Sequence, residues 1–160
     1  MASPPSHSFH QPSRSRQTGR VLVLDSSPIS LIALAGVLDA AGFECTCART
    51  AEAAHKAITS EPQDLLVADV GDDAPAMLNL VTELRGITET QDLPAILIAG
   101  NEWAGLEKKT EPLGGVHCLF KPIDPTSLLA IVEQAMWMPH LVQTHRRRGS
   151  RPTHSGWITL

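Results

Sequence analysis

Asp64-Leu65-Leu66-Val67-Ala68-Asp69-Val70 and Val21-Leu22-Val23-Leu24-Asp25-Ser26-Ser27-Pro28 are built alike. Each carries an unbroken apolar run, too short for a helix and without polar alternation, which stops at a carboxylate. That is the pattern of a strand buried on both faces, and strands of this kind belong to parallel sheets covered by helices.

Working outward, the same punctuation repeats. After Asp25, Ser26 or Ser27 can cap a helix, Pro28 suits its first turn, and Gly42 can end it; Leu31, Leu34, Ala35 and Leu38 fall at helical spacing. Phe43 to Ala48 reads as a second strand, and Thr50 caps a helix to about Ser60, which Pro62 breaks. A loop with Gly71, Asp72, Asp73 and Pro75 follows the third strand and leads into a helix to about Arg85. Ala95-Ile96-Leu97-Ile98-Ala99 is the fourth strand, and a helix from about Glu102 is expected to end before Pro112. Val116 to Phe120 is the fifth strand, and Asp124 with Pro125 opens a last helix reaching Met138, before Pro139. Alternation of strands and helices predicts an α/β fold with a parallel sheet and helices on both faces.

Length and charge agree with one domain between two tails. Of 160 residues, 1–19 are polar and rich in serine and proline, 20–139 form the domain, and 140–160 are again polar and basic. Neither tail buries enough apolar surface to offset its ordering entropy, so both are expected to be disordered. All 17 acidic residues lie between Asp25 and Glu133 with only six basic ones, which leaves that span at −11 and the ends at +7. An acidic body repels phosphate backbones, so nucleic-acid binding is not expected, and the arginines at 146–148 and 151 read as a solvated or self-associating tail. The absence of a long apolar run excludes a membrane span, and the first residues have no signal-peptide pattern. Three cysteines make no disulfide framework, so reduced thiols and a cytoplasmic location are expected.

Ligands of open α/β sheets bind beyond the carboxyl ends of the strands. Three strands here end on ionisable residues: Asp25, Asp69 and Lys121, the last followed by Pro122. With Leu93-Pro94-Ala95-Ile96-Leu97-Ile98-Ala99 and Cys118-Leu119-Phe120-Lys121-Pro122, these segments make residues 20–138 resemble the receiver domain of bacterial two-component response regulators. The resemblance implies a flavodoxin-like, doubly wound five-stranded sheet of order 2-1-3-4-5 with five helices. It implies Asp69 as phosphoacceptor, a carboxylate nucleophile supplied by a histidine kinase or phosphotransfer protein. Lys121 would hold the phosphoryl oxygens, and Asp25, Asp69 and the backbone carbonyl of Gly71 would hold Mg²⁺, a hard cation that takes oxygen ligands.

The departures from the family define an atypical receiver. Ser26 stands where a second acidic metal ligand is usual, so the site has two carboxylates instead of three and a weakened hold on Mg²⁺. Ala99 replaces the hydroxyl residue that bonds the phosphoryl group, and Cys118 replaces the aromatic residue that reorients with it. Alanine donates no hydrogen bond and cysteine has no ring. Met77 replaces a glycine at the start of the third helix, and Asp72 and Asp73 read as surface charge. Two functions follow: a stand-alone receiver phosphorylated on Asp69 and acting through a downstream protein, or a phosphorylation-independent pseudo-receiver scaffold.

Other readings are weaker. Asp25-Ser26-Ser27 resembles the Asp-x-Asp of haloacid-dehalogenase-type phosphatases, but Ser27 removes the proton donor, so no enzyme is expected. A flavin site lacks its phosphate loop. His55 does not sit in the helical bundle that phosphotransfer histidines need, and Cys45 and Cys47 are expected to be buried free thiols. On the last helix, Leu128, Ile131 and Ala135 suffice for a core stripe, so Leu129, Val132, Met136 and Trp137 form a second one. That stripe is expected either to be covered by the tail or to make a homodimer or partner surface.

Overall fold

The computed structural model describes residues 19–147, with side chains through Met136. The strands are β1 (Arg20–Leu24), β2 (Glu44–Ala48), β3 (Leu65–Asp69), β4 (Ala95–Ala99) and β5 (Val116–Phe120). The helices are α1 (Pro28–Ala40), α2 (Ala51–Ser60), α3 (Ala74–Arg85), α4 (Leu106–Thr110) and α5 (Pro125–Arg147). All neighbouring strands pair in parallel, in the order β2-β1-β3-β4-β5. The apolar runs are buried on both faces, as expected: β4 is wholly inaccessible, and β1 and β3 nearly so.

Alternation along each strand divides the core into two layers. Leu22, Leu24, Leu66, Ala68, Leu97 and Ala99 pack towards α2, α3 and α4. Val21, Val23, Leu65, Val67, Ile96 and Ile98 pack towards α1 and α5, meeting Leu31, Leu34, Leu38, Leu128, Val132 and Ala135. Helix starts follow the expected signals. Ser27 accepts from the amide of Ser30 at 3.4 Å, and Thr50 accepts from Ala53 at 3.1 Å. Asp124 accepts from the amide of Ser127 at 3.1 Å. Helix α1 has only Asp39 as a charged residue, and Ile29 and Ile32 stand 82% and 72% exposed on its outer face.

Several expectations are corrected. The helix foreseen from Glu102 is interrupted: a 3₁₀ turn at Asn101–Trp103, the short α4, and another 3₁₀ turn at Glu111–Leu113. Gly105, at φ 92°, turns the chain left-handed just before α4, which no continuous helix allows. Helix α5 does not stop at Met138 but continues through Pro139 to Arg147; a proline removes one amide bond and kinks a helix without having to end it. Cys47 is exposed and Cys45 only half-buried, because β2 is an edge strand with a neighbour on one side only. Val132 is fully buried in the core, so it belongs to no surface stripe; Leu129 and Met136 are half-buried against the same layer. Residues 140–147, expected to belong to the tail 140–160, are helical in α5; the side chain of Trp137, residues 148–160, and residues 1–18 of the expected tail 1–19 lie outside what is described.

Candidate functional site

Asp25, Asp69 and Lys121 come together at the carboxyl edge of the sheet because β1, β3 and β5 each release the chain there. Asp69 ends β3, and its Oδ2 lies 2.7 Å from Nζ of Lys121. Its Oδ1 accepts from the amide of Gly71 at 2.8 Å. The Asp69 side chain is only 8% accessible, whereas that of Lys121 is 48% accessible. The lysine stem therefore reaches in from the rim, while the carboxylate sits at the floor. The hydrogen bond to Asp69 raises the Lys121 pKa; partial burial opposes this, and the charges of Asp69, Asp25 and Glu102 add to it. Lys121 precedes a cis peptide bond to Pro122.

Asp25 is buried and only partly satisfied. It is 3% exposed, its Oδ1 accepts from the amide of Ser27 at 2.9 Å, and its Oδ2 is buried with no partner. Burial pushes its pKa up; the Ser27 amide opposes, the Asp69 charge raises it further, and Lys121 opposes again. A buried carboxylate oxygen left unbonded costs about 1–3 kcal/mol or more, so folding alone does not explain it.

The loop after Asp69 is held from both sides. Gly71 adopts φ 57°, a left-handed conformation that glycine reaches without strain, and this turns its amide back to Asp69. Its carbonyl accepts from the indole Nε1 of Trp103 at 2.9 Å. Asp73 is not merely surface charge: it caps α3 by accepting from the amide of Ala76 at 3.0 Å. Ser26 is exposed, and its carbonyl accepts from Nη2 of Arg49 at 3.3 Å.

The two departures from the switch pattern are structurally distinct. Ala99 is completely buried at the end of β4. Cys118 is half-buried against α4, with Sγ 3.6 Å from Oγ1 of Thr110; burial pushes its thiol pKa up. His55 pairs with Glu83 at 3.1 Å, joining α2 to α3 away from the strand ends.

Sequence reading placed Asp25, Asp69, Gly71 and Lys121 together, and the structure brings them together. It missed Trp103 and Arg49. An aromatic residue just beyond a strand that ends at the carboxyl edge was the available signal for Trp103. Among the described residues, no three His, Cys, Asp or Glu side chains cluster as a metal centre. The donors present are two carboxylates and a carbonyl. The orphaned oxygen of Asp25 beside Asp69 suits a hard cation that keeps much of its water, as Mg²⁺ does.

No protein-family model and no curated protein sequence matches the chain. Solved structures do. NtrX from Brucella abortus superposes with TM-score 0.71 at 22% identity over 84% of this chain, which spans 30% of NtrX. Chemotaxis protein CheY4 from Vibrio cholerae gives TM-score 0.66 at 21% identity, over 74% of this chain and 98% of that one. A response regulator from Thermotoga maritima gives TM-score 0.65 at 26% identity, over 74% and 98%. Among the described residues, no helix is long and apolar enough to cross a membrane. With five parallel strands in the order β2-β1-β3-β4-β5 and helices on both faces, the chain has the fold of response regulator receiver domains.

Proposed function

We propose that the protein accepts a phosphoryl group on Asp69 from a histidine kinase or phosphotransfer protein, and signals through contacts with a downstream protein. The observation that carries this is the 2.7 Å pairing of Lys121 with Asp69 on the floor of the strand-end cleft, beside the orphaned oxygen of Asp25. Phosphoryl transfer needs positioning and charge neutralisation, with little proton chemistry from the protein. An Asp69 oxygen attacks phosphorus as the bond to the donor's imidazole nitrogen breaks, and the Lys121 ammonium remains with the phosphoryl oxygens. The Gly71 amide fixes the other Asp69 oxygen, which orients the carboxylate. Asp25, Asp69 and the Gly71 carbonyl would hold Mg²⁺, which supplies neutralisation of the transferring group's charge. Ser26 adds only a neutral hydroxyl, so Lys121 carries a larger share of that task.

Intact-protein mass after incubation with Mg²⁺ and a small acyl phosphate tests the proposal. Wild type gains one phosphoryl group and Asp69→Asn gains none; equal gain in both overturns it.

The buried Ala99 and the ringless Cys118 favour a second reading, a scaffold whose partner binding ignores phosphorylation. Under that reading, partner capture by Asp69→Asn equals that of wild type, and a large loss excludes it.

A further inference from the structure

We propose that Trp103 couples the Asp69 site to the α3–α4 side of the molecule, because its indole N–H and a bound cation compete for the carbonyl of Gly71. This rests on the reading of Asp25, Asp69 and Gly71 as cation donors. The two residues are 32 positions apart, and the indole Nε1 donates to the Gly71 oxygen at 2.9 Å. The same oxygen is the backbone donor that the proposed function assigns to Mg²⁺. An N–H donor and a hydrated divalent ion both draw on the electron density of that carbonyl, and an indole ring against it leaves less room for the ion's retained water.

The location of Trp103 gives the contact a consequence. It lies in the 3₁₀ turn that follows Ala99, and its ring packs on the core layer beneath α3 and α4. With Pro75, Leu78, Leu106 and Lys109 it walls a small hollow of about 220 Å³ between the start of α3 and α4. An indole released from Gly71 reshapes that hollow. Ala99 has no hydroxyl and Cys118 no ring, so neither can report the state of Asp69 by the route usual in receivers. Trp103 is an aromatic residue of the β4–α4 connection that touches the acceptor loop directly.

Calorimetric titration with Mg²⁺ of wild type, Trp103→Phe and Asp25→Asn tests the proposal. Phenylalanine keeps a ring against the core and removes the donor, so Trp103→Phe binds Mg²⁺ about three- to tenfold more tightly than wild type, the scale of one hydrogen bond. Asp25→Asn binds much more weakly, which fixes the cation at this site. Binding by Trp103→Phe where wild type shows none also supports the competition. Equal or weaker binding by Trp103→Phe overturns the role of Trp103 while leaving the cation donors intact. Absence of binding in every protein, or binding unchanged in Asp25→Asn, overturns the cation reading and this proposal together. The indole ¹⁵N–¹H resonance of Trp103 in the wild-type protein is a second, independent readout. It moves on Mg²⁺ saturation towards the position of a solvent-exposed indole, and a resonance that stays in place overturns the competition.

Discussion

The two edges of the sheet treat charge in opposite ways. At the amino edge, Arg85 ends α3 half-buried and donates to the carbonyls of Leu93 at 3.0 Å, Leu113 at 2.8 Å and Gly114 at 2.7 Å. One guanidinium thereby ties α3 to the approaches of β4 and β5. Asp64 accepts from the amide of Arg20 at 2.8 Å, and the Arg20 side chain faces Glu44 and Glu61. At the carboxyl edge, Asp25 keeps one buried oxygen without a partner, and Lys121 pairs with Asp69 while acting on Asp25 only through its charge. The first arrangement holds strands together. The second keeps unsatisfied charge where a ligand can use it, at a cost in stability that structural requirements do not demand.

Substitutions at the two edges should therefore act with opposite sign. Arg85→Ala strands the part-buried carbonyls of Leu93 and Leu113 and is expected to destabilise the fold by about 2–4 kcal/mol in denaturant unfolding. A loss below about 1 kcal/mol would mean that Arg85 does not hold the strands together.

Asp25→Asn removes a buried charge and is expected to stabilise the Mg²⁺-free protein by about 1–2 kcal/mol at neutral pH. The sign of its pH dependence follows from the raised pKa of Asp25. In the pH range between the ordinary carboxylate value and the raised one, the folded protein binds more protons than the unfolded one, so stability falls as pH rises through that range. The advantage of the asparagine variant is thus full above the raised pKa and shrinks as pH drops towards the ordinary value. Urea midpoints of both proteins across pH check this, and an advantage that grows with acidity contradicts it.

Ser26→Asp has the smallest expected effect on stability. It puts a third carboxylate at an exposed position beside Asp25, and the expected stability loss in chelator is below about 1 kcal/mol. Mg²⁺ should then raise the melting temperature of the variant more than that of wild type. An equal rise in both would mean that position 26 does not face the cation.

What could be read from the chain depended on how local the determining interaction is. Leu65–Ala68 and Ala95–Ala99 announce themselves because a strand buried on both faces must be apolar throughout. The carboxyl-edge charges are legible because each follows such a run. The exposure of Cys47 is not legible in the sequence because it is set by β2 lying at an edge, a property of strand order. The burial of Val132 is not legible locally, because adjacent stripes of an apolar helix differ only by rotation, which packing into the core layer shared with α1 decides in the fold. Trp103 escaped entirely, since its role depends on a bond to a carbonyl 32 residues away. Asp73 was visible as a charge, while its capping role needed only the helix start at Ala74 to be seen.

The strand order also has a kinetic consequence. Every pairing is parallel, so no strand finds its neighbour through a hairpin, and β1 must wait for residues 65–68 before its second side is covered. Such non-local closure makes for slow folding. The two carboxylates are brought together once β3 joins β1, but Lys121 arrives only on the last strand, beyond β4. A chain emerging from the ribosome therefore has both acids of the site long before it has the cation that balances them.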